Sequence, residues 1–255
     1  MFELLAIPVI LLILILVLTI PLIVVYLFIR LTEEAFERVG FDHWHASLMV
    51  FGSIVGSMVD LPLHPSPISS YPQWLISLAG PLSLTFPATF HPVYLMVNLG
   101  GCLIPMLISL DLLRRGRASA KKALAGTLFV ALVTYQMATP LANQGIVLPV
   151  YVAPTLAALT GIALARGYDR APSLAYISGA MGTLLGADIF NLLTPGVLAT
   201  LSPPTSQARP LVLSIGGAGV FDGIFLTGVL AVLLAAMIVC LFPGSTCRRT
   251  RVPVR

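Results

Sequence analysis

Long apolar runs separated by short polar segments dominate the chain. The run from Leu4 to Ile29 contains no charged residue and exceeds the roughly 20 residues that a helix needs to cross the hydrocarbon core of a bilayer. Six further runs follow, and several of them have lengths near the lower limit for a span. The pattern therefore predicts an all-α fold, a single polytopic membrane domain over residues 1–255 with about seven transmembrane helices. The predicted spans are 4–29, 44–62, 92–113, 123–138, 148–165, 173–193 and 220–242.

The segment 63–91 does not fit this scheme. It has no Asp, Glu, Lys or Arg, yet it is rich in proline, which removes a backbone donor and breaks helices. Tyr71 and Trp74 are residue types that favour the headgroup layer. Two interpretations stay open, an interfacial loop and a re-entrant hairpin, so we expect broken or re-entrant segments on the outer side.

Composition narrows the class of protein. Hydrophobic residues make up 58% of the chain and charged residues 9%, whereas a soluble domain carries about 25% charged residues. An ordinary soluble enzyme, a disordered chain and a nucleic-acid-binding module are therefore excluded. The three cysteines and four histidines show no convincing metal-ligand spacing, so we expect no metal and no cofactor.

The distribution of cations predicts the orientation. Cytoplasmic loops of membrane proteins are enriched in Lys and Arg, and with seven spans thirteen of the 14 cationic residues share one side, with Arg209 alone opposite. We therefore expect a multi-pass protein of the cell membrane with its N-terminus outside and its C-terminus in the cytoplasm. The thirteen are Arg30, Arg38, Arg114, Arg115, Arg117, Lys121, Lys122, Arg166, Arg170, Arg248, Arg249, Arg251 and Arg255.

Acidic residues in apolar surroundings form the candidate site. An ionised carboxylate inside a bilayer is unfavourable by at least ~2.5–3.5 kcal/mol, so it usually faces a cavity or a partner. Asp188 lies about 22 Å along its span, and Asp222 opens the next, antiparallel span. Both are thus expected near the outer face, where they would form a ligand-binding or catalytic pair. Polar residues expected at the same level are Asp60, Asn98, Asn143, Gln144 and Asn191.

Glycines support the same location. Gly182 and Gly186 have a small-xxx-small spacing that allows helices to approach closely. The run containing Gly216, Gly217 and Gly219 permits unusual backbone dihedrals and exposes backbone polar groups that can bind a ligand. Simpler explanations remain open: Asp222 could cap a helix N-terminus, and Asp188 could form a structural hydrogen bond to a neighbouring helix.

Several motifs resemble an uncharacterised prokaryotic membrane-protein family, domain-of-unknown-function family 1614. The resemblance extends from about residue 40 to 235 and implies a membrane protein without an established activity. It is carried by Gly52-Ser-Ile-Val-Gly56-Ser, Val97-Asn-Leu-Gly-Gly101, Gly145-Ile-Val-Leu-Pro149, Ala175-Tyr-Ile-Ser-Gly179 through Gly186-Ala-Asp188, and Ser214-Ile-Gly-Gly-Ala-Gly-Val-Phe-Asp222-Gly223-Ile-Phe.

The two aspartates also resemble, more loosely, those of intramembrane aspartyl proteases of the presenilin and signal-peptide-peptidase class. Those enzymes carry one catalytic Asp on one helix and Gly-x-Gly-Asp on the next. Here Gly217-Ala-Gly219 precedes Asp222 with two residues between. The resemblance implies that Asp188 and Asp222 are catalytic.

Three functions follow as hypotheses. In the first, the protein transports a proton, an ion or a small solute, with Asp188 and Asp222 as charged ligands. The neutral ligands would be Asn98, Asn191 and the exposed backbone carbonyls of 216–219. In the second, the two carboxylates hydrolyse a peptide by sharing one proton. In the third, the chain is a non-catalytic scaffold. The predicted partners are the lipid bilayer and a small ion or solute, without nucleic acid. The sequence predicts no particular protein partner.

Overall fold

The fold is mostly helical, with short strands between the helices. The computed structural model describes residues 2–82, 84–86, 92–142, 145–165, 168–201, 210–217 and 223–241. The helices are α1 (Phe2–Val39), α2 (His43–Gly56), α3 (Gln73–Ala79), α4 (Ile104–Arg114), α5 (Ala120–Met137), α6 (Val152–Leu164), α7 (Ala171–Thr183), α8 (Asn191–Leu193), α9 (Val197–Leu201) and α10 (Gly223–Leu241). The strands are β1 (Asp60–Pro62), β2 (Val93–Asn98), β3 (Thr139–Leu141), β4 (Gly145–Val147) and β5 (Leu211–Ile215).

Two π-helical segments interrupt the regular helices. One, Leu99–Leu103, joins β2 to α4, and the other, Leu184–Phe190, joins α7 to α8. Such segments are rare and frequently occur at functional sites. Both of them here follow or contain glycine, and the second contains Asp188.

Within the described residues, three helical stretches are long and apolar enough to cross a membrane. They are Leu14–Val39, Ala171–Leu193 and Gly223–Leu241, with mean hydropathies of 2.7, 1.2 and 2.9. They overlap three of the predicted spans, and the apolar helix α6 lies inside a fourth, 148–165, but its 13 residues are fewer than a membrane crossing needs.

Helix α7 lies at the centre and is packed through small residues. A Cβ at Gly182 would come within 2.6 Å of the Val130 side chain, and one at Gly186 would overlap Ala131 and Thr134 of α5. On other faces, Gly161 of α6 lies against Ala175, and Gly228 of α10 lies against Tyr176. The predicted close approach at Gly182 and Gly186 is therefore found where α7 and the π-helical segment after it pack against α5.

Two predicted spans are wrong in part, because they are not helical along their whole length. The span predicted at 92–113 begins with strand β2, and the span predicted at 44–62 ends its helix at Gly56 and continues into β1. In the three-stranded sheet, β2 pairs antiparallel with β1 and parallel with β5. The backbone N–H and C=O groups of β2 can be hydrogen-bonded there, because a strand lies on each side of it. The fold is thus mostly helical rather than all-α.

A separate antiparallel hairpin, β3–β4, follows α5. In the proline-rich segment, α3 and a 3₁₀ turn at Gly80–Leu82 are the helical parts, and Ile68 forms a bridge with Val93 of β2. Tyr71 is buried there. Residues 83 and 87–91 lie outside the described residues.

The charged ends of several helices meet at one end of the bundle. The Arg115 guanidinium lies 5.2 Å from the ring centroid of Phe41, and Arg117 covers Gly40 in the turn between α1 and α2. Lys122 donates a hydrogen bond to the carbonyl of Leu164. Because α7 also begins here, Asp188 lies about 25 Å further along the helix axis, towards the other end.

Candidate functional site

The predicted polar residues gather where strand β5 ends. Gly216, the residue after β5, has a φ of 77°, a left-handed conformation that glycine adopts readily. A Cβ at this position would come within 2.7 Å of the Cys102 backbone nitrogen. Glycine is therefore required twice here, by the backbone conformation and by close contact with the π-helical segment 99–103.

Asp188 is held by this turn. Its Oδ2 accepts a hydrogen bond of 2.7 Å from the Gly216 backbone nitrogen, and the side chain is partly buried. The carboxylate thus connects the π-helical segment after α7 with the end of β5. Sequence reasoning expected glycine carbonyls to act as ligands, whereas Gly216 presents its N–H to the carboxylate.

Asp60, Asn98 and Ser214 form a second polar group across the three-stranded sheet. The buried Asn98 donates from Nδ2 to Asp60 Oδ1 at 3.0 Å and to the Ser57 carbonyl at 2.8 Å, while its Oδ1 accepts from Gly101 N at 2.9 Å. The Ser214 hydroxyl donates to the same Asp60 oxygen. Asn98 therefore closes the N-terminus of the π-helical segment.

Asn191 does not join either group. Its side chain is buried and donates from Nδ2 to the Gly186 carbonyl at 3.0 Å. From the sequence it is expected at the level of Asp188, three residues earlier, and residues three apart are neighbours in an α-helix. The segment between them is π-helical, so this spacing does not apply.

Beside Asp188 lies a cavity of about 770 Å³. Its walls come from β4 and the residues after it, from the end of α7, from β5 and from the start of α10. The described polar side chains in its lining are Thr183, Asp188, Ser214 and Thr227. The remaining lining is mostly aliphatic, which is typical of small-molecule sites with a few placed polar groups.

Thr183 is the residue that sequence reasoning missed. It is 5% exposed, it lines the cavity, and its hydroxyl has no hydrogen-bond partner within the described part of the chain. A buried polar group usually has a partner. Its position five residues before Asp188 could have suggested it only if the π-helical segment had been known.

The second predicted aspartate lies outside the described residues. The same holds for Gly219, Asn143 and Gln144. Gly217 and Gly223, which flank the segment containing Asp222, both line the cavity beside Asp188. Among the described residues, no group of three His, Cys, Asp or Glu side chains could hold a metal ion.

The arrangement offers specific chemistry. Within the described residues, one carboxylate accepts a hydrogen bond from one backbone donor, one buried hydroxyl has no partner, and the cavity wall beside them is mostly aliphatic. Such a site can bind a proton or a cationic group, because a buried carboxylate is unfavourable without a compensating positive charge or proton.

The fold and the cavity define a mostly helical protein with helices compatible with a membrane location. The chain belongs to the DUF1614 family of proteins of unknown function, whose profile matches residues 54–234. No curated protein and no solved structure matches the chain.

Proposed function

We propose that the chain is a single-domain, multi-pass protein of the cell membrane that crosses the bilayer seven times, with its C-terminus in the cytoplasm. The contacts of Arg115, Arg117 and Lys122 at one end of the bundle support this orientation, because cations concentrate on the cytoplasmic side. The irregular third span is compatible with a bilayer because β1 and β5 pair with β2 on both edges, and non-helical backbone is tolerated where protein surrounds it.

Within this arrangement, the protein transports protons or a small cationic solute, and Asp188 is the carboxylate that binds them. One observation carries the proposal: a carboxylate in an interrupted apolar helix faces a cavity of about 770 Å³. Interrupted helices near charged groups are how many secondary transporters build their binding sites. Asp222, next to the lining residue Gly223, is the second proposed ligand.

Proton movement tests the proposal directly. The purified protein is reconstituted into liposomes, a potassium diffusion potential is imposed with valinomycin, and internal pH is followed with a trapped dye. We expect uptake well above that of protein-free liposomes, and a reduction of at least about tenfold in Asp188→Asn, which removes the charge that the proton neutralises. Asp42→Asn is the matched control, because Asp42 is an exposed carboxylate with no side-chain capping hydrogen bond.

Two results would overturn proton transport by the protein. One is uptake by the wild-type protein equal to that of protein-free liposomes. The other is an equal rate in wild type and in Asp188→Asn, provided that both elute as single species of the same size.

Intramembrane hydrolysis by Asp188 and Asp222 is the second proposed function. It is favoured by one observation, that Gly223, adjacent to Asp222, lines the same cavity as Asp188. Two carboxylates that bind one water could act as general base and general acid on a peptide bond. A quenched fluorogenic peptide with an apolar transmembrane segment is the probe. Cleavage must disappear in both Asp188→Asn and Asp222→Asn, and cleavage by either variant would exclude the mechanism.

If the purified protein neither takes up protons nor cleaves the peptide, a scaffold role becomes the favoured function. Complementation of a deletion strain by Asp188→Asn would support it, because a scaffold does not need the carboxylate.

A further inference from the structure

We infer that the cavity beside Asp188 binds an organic cation with an apolar body and a protonated primary or secondary amine. The inference rests on the proposed transport function, because it names the class of solute for the same site.

The charge of the lining selects for a cation. Asp188 is the one ionisable side chain among the described lining residues, and none of those residues is Lys, Arg or His. An anion in this cavity would meet a carboxylate without a compensating basic group, which is unfavourable at low dielectric. A cation would neutralise the carboxylate instead.

The hydrogen-bond acceptors that the site still offers fit a protonated amine. Asp188 uses Oδ2 for the Gly216 N–H, and the Ser214 hydroxyl is turned to Asp60. The Thr183 hydroxyl is buried and lacks a partner inside the described ranges, so it can accept a hydrogen bond. An ammonium group carries only donors and would satisfy this hydroxyl and the carboxylate together.

A bare metal ion is a poorer match. Ca²⁺ takes six to eight oxygen ligands, and Mg²⁺ requires a near-octahedral set. The described lining offers side-chain oxygens from Thr183, Asp188, Ser214 and Thr227 alone, and one of these is already engaged by Asp60. An ammonium ion needs fewer and less regular acceptors.

The walls then specify the rest of the ligand. Aliphatic side chains from several elements face the cavity, among them Val147, Leu192, Leu213 and Ile224. Its volume of about 770 Å³ lies within the range of about 300–1,000 Å³ that is typical of small-molecule sites. Apolar walls of this extent stabilise a hydrocarbon body by removing it from water.

A set of three rigid probes of equal shape tests the inference. The probes are 1-aminoadamantane, which is protonated at neutral pH, the neutral 1-adamantanol and the anionic 1-adamantanecarboxylate. Ligand binding to the folded protein raises its thermal unfolding midpoint in a concentration-dependent, saturable way, which is measured in nanodiscs. We expect the ammonium to bind at least about tenfold more tightly than the alcohol, because a hydrogen bond to a charged group contributes about 1.5–3 kcal/mol. The carboxylate is expected to bind most weakly.

Two variants assign the preference to residues. In Asp188→Asn the preference for the ammonium over the alcohol should fall to about one, and in Thr183→Val it should be reduced to an intermediate value. Asp42→Asn should retain the wild-type preference. Even if a variant fails to fold, comparing the binding of the ammonium and the alcohol to the wild-type protein still tests the inference, because it needs no substitution.

The outcomes separate this inference from the transport proposal. Equal binding of ammonium and alcohol by the wild type, or an unchanged preference in Asp188→Asn, overturns the inference even if proton uptake depends on Asp188. Conversely, Asp188-dependent binding of the ammonium without proton uptake, and without movement of the amine into liposomes, supports the site and overturns transport.

Discussion

Two apolar helical stretches of this protein meet their surroundings in opposite ways. None of the most apolar 18 residues of Leu14–Val39 is buried, whereas 72% of the corresponding residues of Ala171–Leu193 are. Yet the exposed stretch has the higher mean hydropathy, 2.7 against 1.2. Hydropathy alone therefore does not separate exposed from buried helices here, since Gly223–Leu241 has the highest mean hydropathy, 2.9, and 56% of its most apolar residues are buried.

Residue size explains the difference. The exposed part of α1 is built from Leu, Ile and Val, which present large apolar surfaces. More than half of α7 consists of Ala, Gly and Ser, and neighbouring helices approach its backbone at the glycines. In a bilayer, where lipid tails are as apolar as leucine, close packing of small residues brings helices together.

The largest expected effect comes from the C-terminal part of α1, where the helix changes from exposed to packed. Phe36 is 1% exposed, and its ring contacts those of Phe41, Tyr176 and Phe225 at centroid distances of 5.8 to 6.0 Å. Phe36→Ala should lower the free energy of unfolding by about 3–5 kcal/mol, as is typical for loss of a buried aromatic ring. The measurement is an SDS titration of the detergent-solubilised protein, followed by circular dichroism.

Phe129→Ala on α5 is the matched control. Phe129 is 50% exposed, so the same chemical change should have a much smaller effect. Equal losses in the two variants would mean that Phe36 is not part of a packed core.

The second-largest effect is expected where the π-helical segment after α7 packs against α5. Gly186→Ala places a Cβ against the Ala131 carbonyl and the Thr134 hydroxyl, so the helices must separate. Overpacking of this kind is unfavourable by roughly 1–3 kcal/mol, and the same SDS titration measures it. Gly80→Ala serves as control, since a Cβ there meets nothing within 4 Å. A loss in Gly80→Ala as large as that in Gly186→Ala would contradict close packing of α7.

Some helices and strands of this fold can be predicted from the sequence, and others cannot. Apolar runs predicted the positions of α6 and α10 within a few residues, because a helix of sufficient length needs no partner for its backbone hydrogen bonds. The pattern predicts a helix over 92–113, whereas the first part of this segment forms strand β2. A short apolar run carries no periodicity that separates strand from helix. Its strand partner β5 lies more than 100 residues later, where no local signal can indicate the pairing.

The sequence predicts the acidic residues of the candidate site but not the groups that contact them. Asp188 and Asp60 are recognisable because carboxylates in apolar sequence need a partner. Their partners, the Gly216 N–H and the amide of Asn98, are brought to them by tertiary structure. Of these, only Asn98 could be placed at the same level by counting residues along its span. The role of Thr183 depends on the π-helical segment, which has no established sequence signal.

A smaller effect is expected at Gly126 of α5, where a side chain of α7 rather than its backbone limits the approach of the two helices. A Cβ at Gly126 would overlap the Ser178 hydroxyl, and this hydroxyl has no partner within the residues described. Gly126→Ala should lower the free energy of unfolding by about 1–2 kcal/mol. In a Ser178→Ala background the loss should shrink, because the overlapping oxygen is gone. The coupling energy of this double-mutant cycle is the measurement, and strict additivity would show that the two positions are not in contact.

The smallest effect is expected in the exposed part of α1. Leu22 is 69% exposed, so Leu22→Ala removes apolar surface that contacts no other described part of the protein. Because surface substitutions away from packed features usually change stability within about 0.5 kcal/mol, the SDS titration should give nearly the wild-type value. A loss of 2 kcal/mol or more, on the scale of a core Leu→Ala change, would mean that this part of α1 packs against protein, for instance a second copy. The contrast between the exposed part of α1 and the packed α7 would then hold only within one chain.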